Sequence, residues 1–248
     1  MRIALMAVGL VVAPIVVAAA QGPKIVDVTH EPSHHLVLSN DHVRVLNVIV
    51  APRATTLIHR HDHDYLFVTL GDADVTSTKV GDTAVKLVLR DGEVRYAAGG
   101  FAHAASNNID TPFHNVTIEL LQSATHEQPC AASCAEPAPC SVARGGACPT
   151  VTRVMGADQW TVVSVALPAS GRLDLVDGAG PVLVVAVSGV RLTRGGLVIG
   201  VASIRGGPGT LGWVSAAARG AAGARALVNA SREPARVVMV QSRSGARE

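Results

Sequence analysis

Short runs of β-type residues, broken by turn signals at roughly ten-residue spacing, constrain this chain more than any other feature. Residues 43–50, 65–70, 74–79, 85–89 and 113–121 are such runs, and Gly71-Asp72, Gly81-Asp82 and Asp91-Gly92 punctuate them. No segment of residues 24–122 has a convincing helical period, so the pattern predicts an antiparallel sandwich or barrel. Composition agrees: 48% of residues are hydrophobic but only 3% aromatic. The core must therefore be built from Val, Leu, Ile and Ala, and the β-branched share favours strands.

The plan returns in the second half, with β-type runs at 161–167, 182–187, 190–193, 197–201 and 237–241. Residues 41–52 can be laid beside 158–168, and Leu70-Gly71 beside Ser188-Gly189, which reads as a diverged internal repeat of one domain. The formal charge of +2 hides an asymmetry. Residues 21–125 carry 8 Lys and Arg against 12 Asp and Glu, whereas residues 151–248 carry 11 Arg against 5. Opposite signs could help the halves dock, although solvated faces on an Arg-rich background explain them more simply. No basic cluster is interleaved with aromatics, which argues against nucleic acid as a partner.

All ten histidines lie between His30 and His126, so imidazole chemistry is confined to the first half. Ahead of them, residues 3–20 contain no charged side chain and close on Ala18-Ala19-Ala20. This reads as a signal peptide over 1–20 and an extracytoplasmic, periplasmic or secreted, mature chain. Pro14 and the small residues at the end favour cleavage over an uncleaved anchor. The four cysteines, Cys130, Cys134, Cys140 and Cys148, share a short segment with Pro129, Pro137, Pro139 and Pro149. In an exported chain an even count reads as disulfides in a linker, and the absence of a C-x2-C pair disfavours zinc. The expected organisation is a first barrel at 21–125, a Cys/Pro-rich linker at 126–150 and a second barrel at 151–248.

The informative stretch runs from Thr56 to Tyr65 and contains His59, His61 and His63. On a strand His59 and His61 share a face about 7 Å apart, close enough to share a metal ion. A closed antiparallel barrel can bring His103 opposite the pair. Taken together these residues resemble the two motifs of the cupin superfamily, G(x)5HxH(x)3-4E(x)6G and G(x)5PxG(x)2H(x)3N. Gly92, Gly100, His103 and Asn107 meet the second motif, with Ala98 at its proline. His59, His61 and Gly71 meet the first, with Arg53 at its leading glycine. No glutamate stands at the expected position, where Asp64, Tyr65 or Leu66 falls instead.

The resemblance implies an all-β protein of two cupin-type jelly-roll barrels in tandem. It further implies one divalent transition metal (iron, manganese, zinc or nickel) on His59, His61 and His103, with Asp64 or His63 as conceivable fourth ligands. The expected function is an exported metal-binding cupin acting on a small molecule, with dioxygenase chemistry foremost. The alternative is a non-catalytic binding or storage protein. Tyr65 and Arg95, each near a motif, are candidates for holding a substrate anion. His30, His34, His35, His42, His114 and His126 show no ligand-like spacing and are expected on the surface or in strands. The second half has no histidine and cannot rebuild the site. The expected partner is a small molecule, with no membrane once the leader is removed and a homodimer as the assembly to test.

Overall fold

The computed structural model describes residues 24–121, 128–137, 148–156, 160–175, 180–195, 203–214 and 225–242. The expected signal peptide at 1–20 lies outside them. The described residues form strands and one 3-10 turn, Val28–His30, with no α-helix among them. The first half contributes β1 (Val26–Asp27), β2 (His34–Ser39), β3 (Val43–Val50), β4 (His59–His61), β5 (Tyr65–Leu70), β6 (Ala73–Lys79), β7 (Val85–Leu89), β8 (Val94–Ala97), β9 (Phe101–Asn107) and β10 (Phe113–Leu120). The second contributes β11 (Gln128–Pro137), β12 (Thr150–Gly156), β13 (Trp160–Leu167), β14 (Arg172–Leu175), β15 (Val182–Ala186), β16 (Val190–Gly195), β17 (Ser203–Gly206), β18 (Leu211–Val214), β19 (Arg225–Asn229) and β20 (Ala235–Ser242).

Four sheets result. In the first half β1-β4-β9-β6-β7 faces β2-β3-β10-β5-β8, and in the second β14-β19-β16-β17 faces β11-β12-β13-β20-β15-β18. Adding ten to each label from β2 to β10 gives its counterpart in the second half, so the repeat extends to strand order, and only the first strands differ: β1 lies beside β4 but β11 beside β12. This is the all-β, two-barrel architecture that the turn spacing and the repeat predict. The Cys/Pro-rich segment expected as a linker is partly strand: β11 pairs antiparallel with β12, Pro129 opposite Met155 and Pro137 opposite Thr150. β11 is an edge strand, where a residue without an N–H is tolerated on the open side. Cys148 is not a free thiol, and the side chains of the other three cysteines lie outside the described residues.

Packing follows from which faces are apolar. Val48, Val50, Val75 and Phe113 cluster between the sheets of the first barrel, and Leu175, Val184, Leu227 and Met239 between those of the second. A third cluster joins the halves: Val45, Leu66 and Ile118 pack with Trp160, Leu183 and Val240, all at most 1% exposed. The β3-β10-β5 sheet is therefore covered on both faces, which is why β10 is buried along almost its whole length, including its inward-facing Asn115, Thr117 and Glu119. Apolar contact joins the barrels rather than the charge asymmetry. The ion pair between Arg236 and Asp91 crosses the boundary, but both side chains are partly exposed and contribute little.

One internal match fixes corresponding loops. Asn107, 2% exposed, donates from its amide to the carbonyls of Ala51 (3.1 Å) and Thr111 (2.7 Å). Asn229, 0% exposed, donates to the carbonyls of Pro168 and Glu233, both at 2.9 Å. Just beyond the first of each pair, Arg53 and Ser170 share φ of 58°. Arg53 stands at the motif's leading glycine, and the left-handed backbone there is the reason glycine suits the position. Asn229 and Asn115 each begin a glycosylation-like triplet, and both side chains are buried in the fold. Replacing Asn107 or Asn229 with Ala is expected to cost about 1–3 kcal/mol each, because buried carbonyls lose their donor. Urea unfolding measures it, and a cost below about 0.5 kcal/mol for both would show that the loops need no clamp.

Candidate metal centre

The alternation of β4 turns His59 and His61 inward and Arg60 outward, giving 1%, exposed and 1% in sequence. β9 runs antiparallel beside it, with His103 directly opposite His59. The His103 ring centroid lies 4.5 Å from that of His59 and 5.5 Å from that of His61. The structure thus brings together the three histidines named from the motifs. It adds a fourth from the facing sheet: His34, at the start of β2 and 8% exposed, has its ring 4.5 Å from His59. His34 lies in a strand, one of the two places expected for it, but the sequence reading gave it no part in the cluster. Its distance in sequence from both motifs hid it, since only barrel closure brings β2 over β4.

Each of the four rings is fixed through Nδ1. His59 Nδ1 lies 2.9 Å from the Leu57 carbonyl and His103 Nδ1 2.9 Å from Ser77 Oγ. His61 Nδ1 is 3.3 Å from Glu119 Oε1, and His34 Nδ1 is 2.6 Å from Glu31 Oε2. Glu119 is wholly buried, and its other oxygen accepts from Arg44 at 2.8 Å. The Nε2 atoms of His59 and His103 are buried without any hydrogen-bond partner. Buried polar atoms are rarely left so, and outer-sphere acceptors on Nδ1 are the usual way a protein aims Nε2 at a metal. Ligand atoms of His34, His59 and His61 lie within 4.8 Å of one another. The residues present fit a divalent transition metal.

Burial sets the protonation. Desolvation, followed by repulsion from neighbouring imidazoles, lowers His59 to about 4 and His103 to about 2. Desolvation also lowers His61, against the pull of Glu119. Neutral imidazole is the form that binds metal, so the ligand set stands ready at neutral pH.

The rings open on a cavity of about 370 Å³ in the first barrel. Val50, Val75, Leu87 and Phe113 form part of its apolar wall, and Thr117 and Asn115 add polar groups. Tyr65 lines it too, 6% exposed and stacked on His61 with ring centroids 4.1 Å apart. Burial raises its hydroxyl well above the usual range, so it stays a phenol. Arg95 lies at the rim, about half exposed and bound to Glu93 at 2.5 Å. Sequence reading passed over Lys79, also at the rim, whose ammonium lies 4.0 Å over the Phe101 ring.

Asp64 is spent elsewhere, accepting from Tyr96 Oη and Gly99 N, both at 2.8 Å. Gly99 has to be glycine, since a Cβ there would lie 2.4 Å from the His63 backbone. That close approach locks the Asp64 turn below the rings and leaves His63 half-buried outside the cluster. In the second barrel the position facing Arg225 on β19 is Leu175, which packs into the apolar interior.

No protein-family model matches the chain, and no curated protein does. Solved structures match it over most of its length. AerE from Microcystis aeruginosa superposes with a TM-score of 0.59 at 11% identity, covering 86% of this chain and 98% of its own. A cupin 2 conserved barrel domain protein from Leptotrichia buccalis gives 0.50 at 9%, covering 85% and 88%. Salicylate 1,2-dioxygenase from Pseudoaminobacter salicylatoxidans, solved with gentisate adducts, gives 0.52 at 13%, covering 81% and 68%. At such identities the likeness is one of fold.

Proposed function

We propose that this chain, a two-barrel cupin by fold, is an exported protein that holds one divalent transition metal in its first barrel and acts there on a small molecule, with dioxygenase-type chemistry foremost. The observation that carries the reading is the pair of buried, partnerless Nε2 atoms on His59 and His103, beside His61 and facing a cavity. His59, His61 and His103 would hold the metal, which when bound supplies Lewis acidity and, as iron or manganese, a one-electron couple. The chain's own residues do the rest. The acceptors on Nδ1 hold each ring in one tautomer, and the apolar wall keeps water from the reacting centre. Lys79 places positive charge at the rim, where it would draw in an anionic ligand, and the Tyr65 phenol offers a hydrogen bond beside the rings. The second barrel supports the first through the shared core and has no imidazole of its own.

Full-length protein purified from an extracytoplasmic fraction is expected to carry one equivalent of a transition metal by elemental analysis. Changing His59, His61 or His103 singly to Ala is expected to weaken that site at least tenfold, about 1.4 kcal/mol. The triple variant is expected to lose stoichiometric binding. Iron-loaded protein is expected to consume oxygen with a small phenol or thiol, gentisate and cysteine being the first probes. Metal retained by the triple variant would overturn the site, and tight metal binding without oxygen uptake would favour the non-catalytic binding protein.

A further inference from the structure

We propose that His34 is the fourth protein ligand of the metal, taking the place of the absent motif glutamate from the opposite sheet. The assignment rests on the metal-binding reading above and extends it to a residue that neither motif contains.

Three observations carry it. First, the ligand atoms of His34, His59 and His61 lie within 4.8 Å of one another, and all three residues are buried. Imidazoles that each reach about 2.0–2.1 Å to one ion have nitrogens at most about 4.2 Å apart, so these three need at most a small inward shift to share one, and His103, outside this group of three, has to move in with them. Second, the carboxylate beside His34 dictates which nitrogen faces the cluster. Glu31, 3% exposed, accepts from Leu57 N at 3.1 Å, Ser33 N at 2.7 Å and His34 Nδ1 at 2.6 Å. The backbone N–H groups of Leu57 and Ser33 donate one to each oxygen of Glu31, which is the pattern of an accepting carboxylate. A carboxylate can only accept, so Nδ1 carries the proton and the Nε2 lone pair is free for a metal.

Third, the motif's own candidates are used up. Asp64 accepts from Tyr96 and Gly99, and Tyr65 lies flat against His61 as a neutral ring. Among the described residues, the one cluster with metal-ligand spacing includes His34 and no carboxylate. The exchange moves negative charge outward by one sphere: Glu31 and Glu119 sit behind the imidazoles instead of touching the ion. Their hydrogen bonds raise the basicity of His34 and His61 without occupying a coordination position.

The test uses the full chain with Zn²⁺ in calorimetric titration and Cu²⁺ as a pulsed-EPR probe that counts coordinated imidazoles. The expected result is a count for His34→Gln that is one lower than for the unmodified protein, and at least tenfold weaker Zn²⁺ binding. Glu31→Gln is expected to weaken Zn²⁺ about 10–100-fold while leaving the count unchanged, as an orienting residue does. His35→Ala, exposed on the same strand, serves as the control and is expected to change neither readout. Gln keeps the bulk of His34, and circular dichroism of each variant confirms folding. An unchanged imidazole count, or Zn²⁺ affinity within twofold, in folded His34→Gln overturns the assignment while leaving the three-histidine site intact. Absence of metal from the unmodified protein overturns both.

Discussion

Replacing Trp160 with Ala is expected to cost about 3–5 kcal/mol and to bring both barrels down in a single transition. Trp160 is 1% exposed and sits in the apolar cluster that the two halves build jointly, against residues such as Leu66 and Ile118 of the first barrel. The hole it leaves is bounded by β-sheets on both sides, which cannot collapse inward without losing register. A domain's whole stability is typically about 5–15 kcal/mol, so one such loss removes a large share of it. Urea unfolding followed by circular dichroism, which does not depend on the lost tryptophan, gives the cost and the number of transitions. A cost below about 1 kcal/mol, or two separated transitions in the unmodified protein, would mean that the barrels are independent. For the same reason residues 21–125 expressed alone are expected to aggregate, since their β3-β10-β5 sheet would present an apolar face to water.

The second large effect is acid sensitivity of the metal-free protein. His59 and His103 are lowered to about 4 and about 2 in the folded chain, chiefly by burial. In the unfolded chain each takes a proton near 6.5. Below that value the unfolded state binds protons the folded state refuses, so stability is fully present above about pH 6.5 and falls as the pH drops toward 4. The slope approaches about 1.4 kcal/mol per pH unit for each histidine kept neutral. Thermal unfolding of metal-free protein at several pH values between 7 and 4.5 is expected to show this decline, and His103→Gln is expected to make it shallower. Carboxylates such as Glu31 lose their contribution only at lower pH, which separates the two effects. Stability that stayed level or rose on acidification through this window would contradict the buried, neutral cluster.

Turn spacing and the internal repeat made the two-barrel plan legible, because a strand's ends are marked locally and β3 and β13 carry like sequences. β11 was not legible. Prolines and cysteines signal a linker, and only the sheet's geometry shows that an edge can absorb them. At the site, His59, His61 and His103 could be named from spacing, since their strands are neighbours whose alternation is fixed. His34 could not, because its approach depends on closure of one sheet over the other. Arg95 lies close to a motif in sequence, yet the strand turns it to the rim and to Glu93. Glu119 gave no signal at all, being one acidic residue in an apolar run that happens to end beneath His61.

The paired asparagines have a meaning beyond their hydrogen bonds. The chain contains its own control experiment: one barrel with the histidine cluster and one in which its place is taken by apolar packing, both still holding the same loop with Asn107 or Asn229 and the same left-handed turn at Arg53 or Ser170. Across the two motifs, the closing asparagine of one and the left-handed turn that opens the other therefore belong to architecture and the imidazoles to chemistry. An engineer wishing to install a metal in the second barrel would need to leave Asn229 and Ser170 alone and rebuild only the inward positions around Leu173 and Leu175.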